Sequence, residues 1–332
     1  SLTLTATAKT GHIFSHWSGL PSTAQSIGNV ATLLMPSDDA PAISAHFVSN
    51  PFTAPLGASN SFQGLLRPAS ALDHASDTVG MISGTLVPTS GAFSGRLMVA
   101  GLTHSFAATF LGDGTCVFTL SKTSKASTLP LSTGHSLSLS FAGGEIQASL
   151  VKAALTSTGS LQRGIYSVAA KVPQALLNRK TSATLALNNQ GFYTAALPAK
   201  IQSPPRVLTS YPQGDGYTTL TLRDNGTLTL SGVLADGSSV TASSMLVADD
   251  EVPLFVQINT PGSTTLKGAS LSGTLRLQPG SASDVTGADL LWLRPSGTQI
   301  SDTTATAKAT QLYTAGWPSG IALDLIGAQY DT

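Results

Sequence analysis

The 332-residue chain has a single cysteine, Cys116, so no internal disulfide framework holds it together. Charge is scarce: Asp, Glu, Lys and Arg make up 10% of residues, against about a quarter in ordinary globular domains. The two signs cancel, 17 against 17, so no basic surface is offered to nucleic acid or anionic lipid. Glutamate is nearly missing, with only Glu145 and Glu251. Aromatics are 6% and form no girdle of Trp and Tyr at strand ends, the mark of a transmembrane β-barrel. No apolar run approaches the roughly 20 residues of a membrane-spanning helix. No Walker-type loop and no dinucleotide fingerprint is present. No secretory signal opens the chain. It starts in strand rhythm at Ser1-Leu2-Thr3-Leu4, and the expectation is that an upstream segment was removed or lies outside this sequence.

What the chain has is glycine (32), proline (18) and abundant Ser, Thr, Ala and Leu. From Gly84 to Leu120 apolar residues alternate: Phe93, Gly95, Leu97 and Val99, then Phe106, Ala108 and Phe110, then Cys116, Phe118 and Leu120. Period-two alternation predicts antiparallel strands with one buried face. Thr89-Ser90-Gly91, Ala100-Gly101 and Gly112-Asp113-Gly114 punctuate the strands as turns. The pattern returns between Tyr217 and Ile258, with turns at Asp224-Asn225-Gly226 and Asp236-Gly237. Strands are also expected at Ser136–Phe141 and Glu145–Lys152, and a short helix at Gln174–Asn178.

Residues 1–50 read as one small unit. Its segments LTATAKTGHIFSHWSG and LLMPSDDAPAISAHFV resemble the internalin-type B-repeat of bacterial surface proteins, with Trp17-Ser18-Gly19, Met35-Pro36 and the closing Ser44-Ala45-His46-Phe47 as matching steps. His12 stands where that family has an aromatic, and Ala8 where it has proline. The family has a further strand or hairpin ahead of the Leu-Thr-Ala strand, so the resemblance implies an incomplete module with an unpaired edge. Later elements resemble regions that follow B-repeats in surface and autotransporter-like proteins: Gly214–Tyr217, Leu234–Gly237, Pro253–Phe255 and Leu290–Trp292. That resemblance implies location and architecture, with no chemistry attached.

Residues 51–60 read as a linker, 61–170 as a first β half, 171–190 as a connector and 191–332 as a second β half. Gly191-Phe192 echoes the Ser61-Phe62 start, and Leu97 and Leu234 occupy matching Gly-x-Leu strands, so the second half is expected to repeat the first. The fold expected is all-β: a B-repeat-like module followed by a duplicated antiparallel meander in a barrel- or sandwich-like body. Each half offers five to seven recognisable strands, too few for a roomy barrel. One body built from both halves is therefore preferred.

Candidate chemistry is thin. His12, His16 and His46 could face one another within the first unit, but no Cys, Asp or Glu stands near enough to complete a metal site. Asp249-Asp250-Glu251 is the one acidic cluster, and the strand pattern places it in a hairpin turn rather than across a groove from a partner acid. The Gly-Asp-Gly turns lack the ligand ladder of a calcium loop. Gly91-Ala-Phe-Ser-Gly95 puts its serine in a strand, not at a strand-to-helix elbow. Cys116, on an apolar strand face, is expected to be buried and inert. No catalytic residue, cofactor or metal is assigned.

The expectation is a non-enzymatic extracellular protein, structural or adhesive, part of a bacterial surface assembly or filament. Its partners would be other copies or a neighbouring surface protein, joined by strand addition at an edge carrying Leu2, Leu4, Ala6 and Ala8. The C-terminal Gly320–Thr332 of a neighbour is the alternative donated strand. The competing reading is a carbohydrate-binding module whose Trp17, Trp292, Trp317 and Tyr217 stack on sugar.

Overall fold

The computed structural model describes residues 1–34, 42–121, 124–177, 190–258, 268–296, 313 and 315–330. Met35, Pro36 and Asn178, which entered the sequence expectations, lie outside these. The chain is all-β, as its alternation and turns dictate.

The first unit holds β1 (Leu2–Thr5), β2 (His12–Ser18), β3 (Gln25–Ile27), β4 (Val30–Leu33) and β5 (Ser44–Ser49). β1, β4 and β3 form one small sheet in that order, and β2 pairs with β5 in a second. This unit seats on the body. Ile13 joins the core of the first barrel, Gly112 N–H donates to Phe14 O (2.8 Å), and Asn50 Nδ2 donates to Pro88 O (2.6 Å).

The next sheet contains β6 (Ser61–Pro68), β7 (Gly80–Val87), β8 (Ala92–Val99), β9 (Leu102–Phe110), β10 (Cys116–Thr119), β11 (Lys125–Ala126), β12 (Leu129–Pro130), β13 (Ser136–Ala142), β14 (Glu145–Lys152) and β15 (Leu155–Arg163). Consecutive strands pair from β6 to β11 and again from β12 to β15, β11 and β12 being the two ends of the sheet, and β6 also pairs with the last strand, β15. Opposite that junction, Phe141 N–H donates to Gly114 O (2.8 Å) and Thr115 bridges Ser140, so β10 meets β13 across a thin seam. The sheet is a nearly closed barrel. Its core is phenylalanine-rich: Phe62, Phe93, Phe110 and Phe118 are enclosed, with Leu66, Ile82, Leu86 and Leu97. Phe52, from the stretch read as a linker, is completely buried and meets Phe141 edge-to-face at 4.9 Å, plugging the barrel beneath the first unit.

After the short helix α1 (Gln174–Leu177) come β16 (Gln190–Leu197), β17 (Gly216–Arg223), β18 (Thr227–Val233), β19 (Ser239–Met245), β20 (Glu251–Gln257), β21 (Ser270–Leu277), β22 (Val285–Arg294) and β23 (Trp317–Tyr330). This eight-stranded sheet also curls until its first strand pairs with its last, β16 with β23. Its seam lies between β19 and β20, where Val247 N–H donates to Glu251 O (2.8 Å). The core is mostly leucine around Tyr193, Trp292 and Trp317.

The expected single body is therefore corrected: each half closes a sheet of its own around a separate core. The shortfall was β15, the strand that closes the first barrel. Its inward positions include Ser157 and Gly159, so it carries no apolar alternation. The small residue is required there. A Cβ on Gly159 would stand 1.9 Å from Leu65 O, and one on Gly64 would stand 2.1 Å from Ser160 O. Close approach of two backbones is one of the few reasons for glycine inside a strand.

Candidate interaction surfaces

β1 is the edge singled out by the sequence. Ala6 N–H donates to Asn29 O (2.9 Å), and alternate residues of an antiparallel strand bond to the same neighbour. Leu2, Leu4 and Ala6 therefore turn their backbone groups to β4. Thr3 and Thr5 turn theirs to the other side, where no strand pairs with β1 among the described residues. Along this edge Leu2 is 40% exposed, Leu4 half-buried and Ala6 buried. Ala8 lies beyond the end of β1 and lines a recess of about 350 Å³ between the first unit and the first barrel, together with His12 and Lys125. The alternative donated strand is corrected: Ile321–Tyr330 is the interior of β23, bonded to β16 on one side and β22 on the other.

The four candidate stacking aromatics do not meet. Trp292 and Trp317 are enclosed in the second barrel, edge-to-face at 4.6 Å, with no face open to a sugar. Trp17 packs on Phe14 at 5.5 Å and donates its indole N–H to Gly28 O (3.2 Å). Tyr217 is 59% exposed but stands on β17 of the other barrel. An aromatic platform built from these four is overturned, because the hydrophobic core has taken its two largest members.

The histidines of the first unit do approach. His16 and His46 are direct cross-strand partners, and their rings stack 4.4 Å apart and 5° from parallel. Ser18 Oγ lies 2.7 Å from His46 Nε2. His12 is instead opposite Ser49, and no cluster of three metal-binding side chains occurs among the described residues. The acidic turn is structural in its contacts: Glu251 is ion-paired with Arg276 (2.7 Å), and burial followed by the neighbouring Asp249 raises the Asp250 pKa above the ordinary carboxylate value. The aspartates and asparagine of the turns accept from the backbone two residues on, Asp113 from Thr115, Asn225 from Thr227 and Asp236 from Ser238. That is the turn chemistry expected of them. Cys116 is buried, and burial pushes its thiol up to about 12.

The junction between the barrels was not legible in the sequence. Gln63 points outward from β6, and its Nε2 donates to Ser244 Oγ. The same nitrogen is 3.3 Å from both Met245 O and Pro253 O, so one amide sits among acceptors on both edges of the second barrel's seam. Beside it Val79 and Met81 pack against Phe255, Leu291 and Leu293. Arg67, whose guanidinium burial pulls below its ordinary value, donates to Ser272 Oγ (3.2 Å). Past Gln63 the barrels diverge into an open cleft of about 610 Å³ whose wall carries Ser83, Arg96 and Ser105 in cross-strand register. A second interior feature was also missed: Arg294 and Asp236 form a 2.7 Å ion pair, with side chains 10% and 4% exposed, and the guanidinium lies 5.2 Å from the Trp317 ring centre.

No protein-family model matches the chain, and no curated protein matches it. Among solved structures it is similar to the crystal structure of a variant of the vaccine antigen Transferrin Binding Protein B from Haemophilus parasuis Hp5, at 8% identity, over 84% of this chain and 77% of that one, with a TM-score of 0.23. A likeness at that score carries no argument about this chain.

Proposed function

We propose that this chain is a non-enzymatic piece of an extracellular bacterial surface assembly, structural or adhesive, which joins a second copy or a neighbouring surface protein by strand addition at β1. The observation that carries this reading is the side of β1 on which no strand pairs among the described residues, where Thr3 and Thr5 present backbone donors and acceptors. An unpaired edge of this kind templates pairing with another chain. Among the described residues, the two nearly closed barrels behind it leave unpaired strands only at their seams, and the charge-poor surface puts up little repulsion between copies. The B-repeat resemblance of the first 50 residues favours the same setting. We read the barrels as copies of one unit, since each closes first strand on last, although the seam follows the fifth long strand in one and the fourth in the other.

Thr3→Pro tests the edge. Proline deletes a donor from the side of β1 left unpaired among the described residues and leaves the bonds to β4 in place, one of the few settings where a strand accommodates it. Light scattering and electron microscopy should show assemblies for the unaltered chain and monomers for Thr3→Pro. Equal assembly by both chains, or none by the unaltered chain at high concentration, defeats the reading.

A further inference from the structure

The cleft between the barrels has a composition that strand addition does not use, and no residue of β1 lines it. Its volume, about 610 Å³, is within the range of pockets that enclose small organic ligands, roughly 300–1,000 Å³. The first-barrel wall presents a grid of hydroxyls. Arg96 stands between Ser83 and Ser105, its direct cross-strand partners, and Thr85 stands opposite Ser94. Ser243 and Thr227 face them from the second barrel. Met81 and Met98 supply the apolar part of the lining.

Arg96 is the only charged group that lines the cleft, and among the described residues it makes no ion pair and no hydrogen bond. In a chain whose charges are so few, several of the other cations are engaged: Lys152 with Asp77, Lys200 with Asp289 and Asp324, Arg276 with Glu251, Arg294 with Asp236. A lone guanidinium presents a planar fork that matches one carboxylate. Hydroxyls both donate and accept, which suits them to partners that are themselves hydroxyls. A thioether meets an apolar C–H surface. A phosphate-rich ligand would call for more than one cation or for a helix N-terminus, and neither lines the cleft.

We infer that the inter-barrel cleft binds a saccharide bearing a carboxylate, with Arg96 holding the carboxylate and Ser83, Ser94, Ser105 and Ser243 the sugar hydroxyls. Gln63 and Ser244, hydrogen-bonded to each other, both line the cleft and tie its two walls together.

Isothermal titration of the full chain with trigalacturonic acid and sialyllactose, beside neutral galactotriose and lactose, tests this. One acidic sugar should bind saturably, its neutral parent at least about tenfold more weakly, as loss of a charge-assisted bidentate contact requires. Arg96→Gln should bring the acidic sugar down to the neutral level. Because Arg96 is exposed and unpaired, that variant should keep the unaltered melting temperature. Ser94→Trp, which fills the cleft from an exposed position, should abolish binding of both sugars. Absence of binding by both acids, binding that survives Arg96→Gln, or sodium acetate binding as tightly as the sugar overturns the inference. Since β1 takes no part, Thr3→Pro should bind the sugar unchanged, so failure of the edge and failure of the cleft are told apart.

Discussion

Gln63 and Ser244, 181 residues apart in the chain, are hydrogen-bonded inside the seam of the second barrel. β19 and β20 part there, and an amide from the other barrel enters among Ser244, Met245 O and Pro253 O. Pro253 O also accepts from Ser244 Oγ, so the group that relies on Gln63 is the Ser244 oxygen, and a buried acceptor left without its donor costs about 1–3 kcal/mol. Gln63→Ala should therefore lower stability by about that amount and speed amide exchange along β19 and β20 more than elsewhere in the second barrel. Ser94→Ala, on the same outer wall but exposed, should stay within about 0.5 kcal/mol of the unaltered chain. Urea unfolding of the three proteins makes the comparison. Equal loss from both substitutions would remove Gln63 from its place in the joint.

Cys116 gives a pH signature. Burial moves its thiol from an ordinary 9.0 up to about 12, so between those values the unfolded chain loses a proton that the folded chain keeps. Bound protons then number one fewer in the unfolded state, and stability falls as pH rises, by about 1.4 kcal/mol per pH unit from this group. Below pH 9 the contribution is level. Cys116→Ala should pay a cavity cost that is constant with pH and show a shallower alkaline slope. Identical slopes in urea titrations at pH 8 to 11 would contradict the burial argument. A thiol reagent at pH 8 should label the folded chain only as fast as it opens.

The Arg294–Asp236 pair is nearly dry, so removing one partner matters more than the pair's own net worth. Asp236→Ala leaves the guanidinium against Trp317 without this carboxylate and also removes the acceptor for Ser238 N–H. A loss of about 3–5 kcal/mol is expected from breaking a buried pair. Arg294→Met combined with Asp236→Leu should recover much of it. Thermal unfolding followed by near-UV circular dichroism reads both variants.

Of the three tryptophans, two are enclosed and one is partly open. Iodide should therefore reach only a minority of the fluorescence, and Trp17→Phe should abolish what quenching remains. Quenching of most of the emission in the folded chain would mean that the Trp292–Trp317 packing is wrong.

How much of this was legible follows from what each residue depends on. Strand faces depend on local alternation, so Phe93, Leu97, Val99, Phe110, Cys116 and Phe118 read as inward and are buried. Leu120 breaks the series, because β10 ends at Thr119 and leaves it 41% exposed. Phe62 and Phe192 looked equivalent, yet Phe62 faces the core while Phe192 is half-buried and Tyr193 takes the inward place. A shift of one residue moves a side chain to the other face, and composition does not reveal it. β15 was hidden because its packing is backbone against backbone. Gln63 was hidden for another reason: its outward place on β6 is solvent-facing in an isolated barrel and becomes buried only when the second barrel arrives. Tryptophan is ambiguous at the outset, since one side chain serves a core and a sugar platform equally well.

Each barrel closes by setting its first strand antiparallel to its last, and this fixes how it meets tension. Phe62, near the start of β6, is opposite Arg163, at the end of β15; Phe192 is opposite Tyr330 in the same way. The chain thus enters and leaves each barrel side by side. A pull on the two flanks loads the ladder one rung at a time rather than all rungs together, so the closing pair peels apart like a zip. The first event under force is then the splitting of a barrel wall along β6–β15 or β16–β23, at low load, and the chain it releases lets the tension on the flanking units relax.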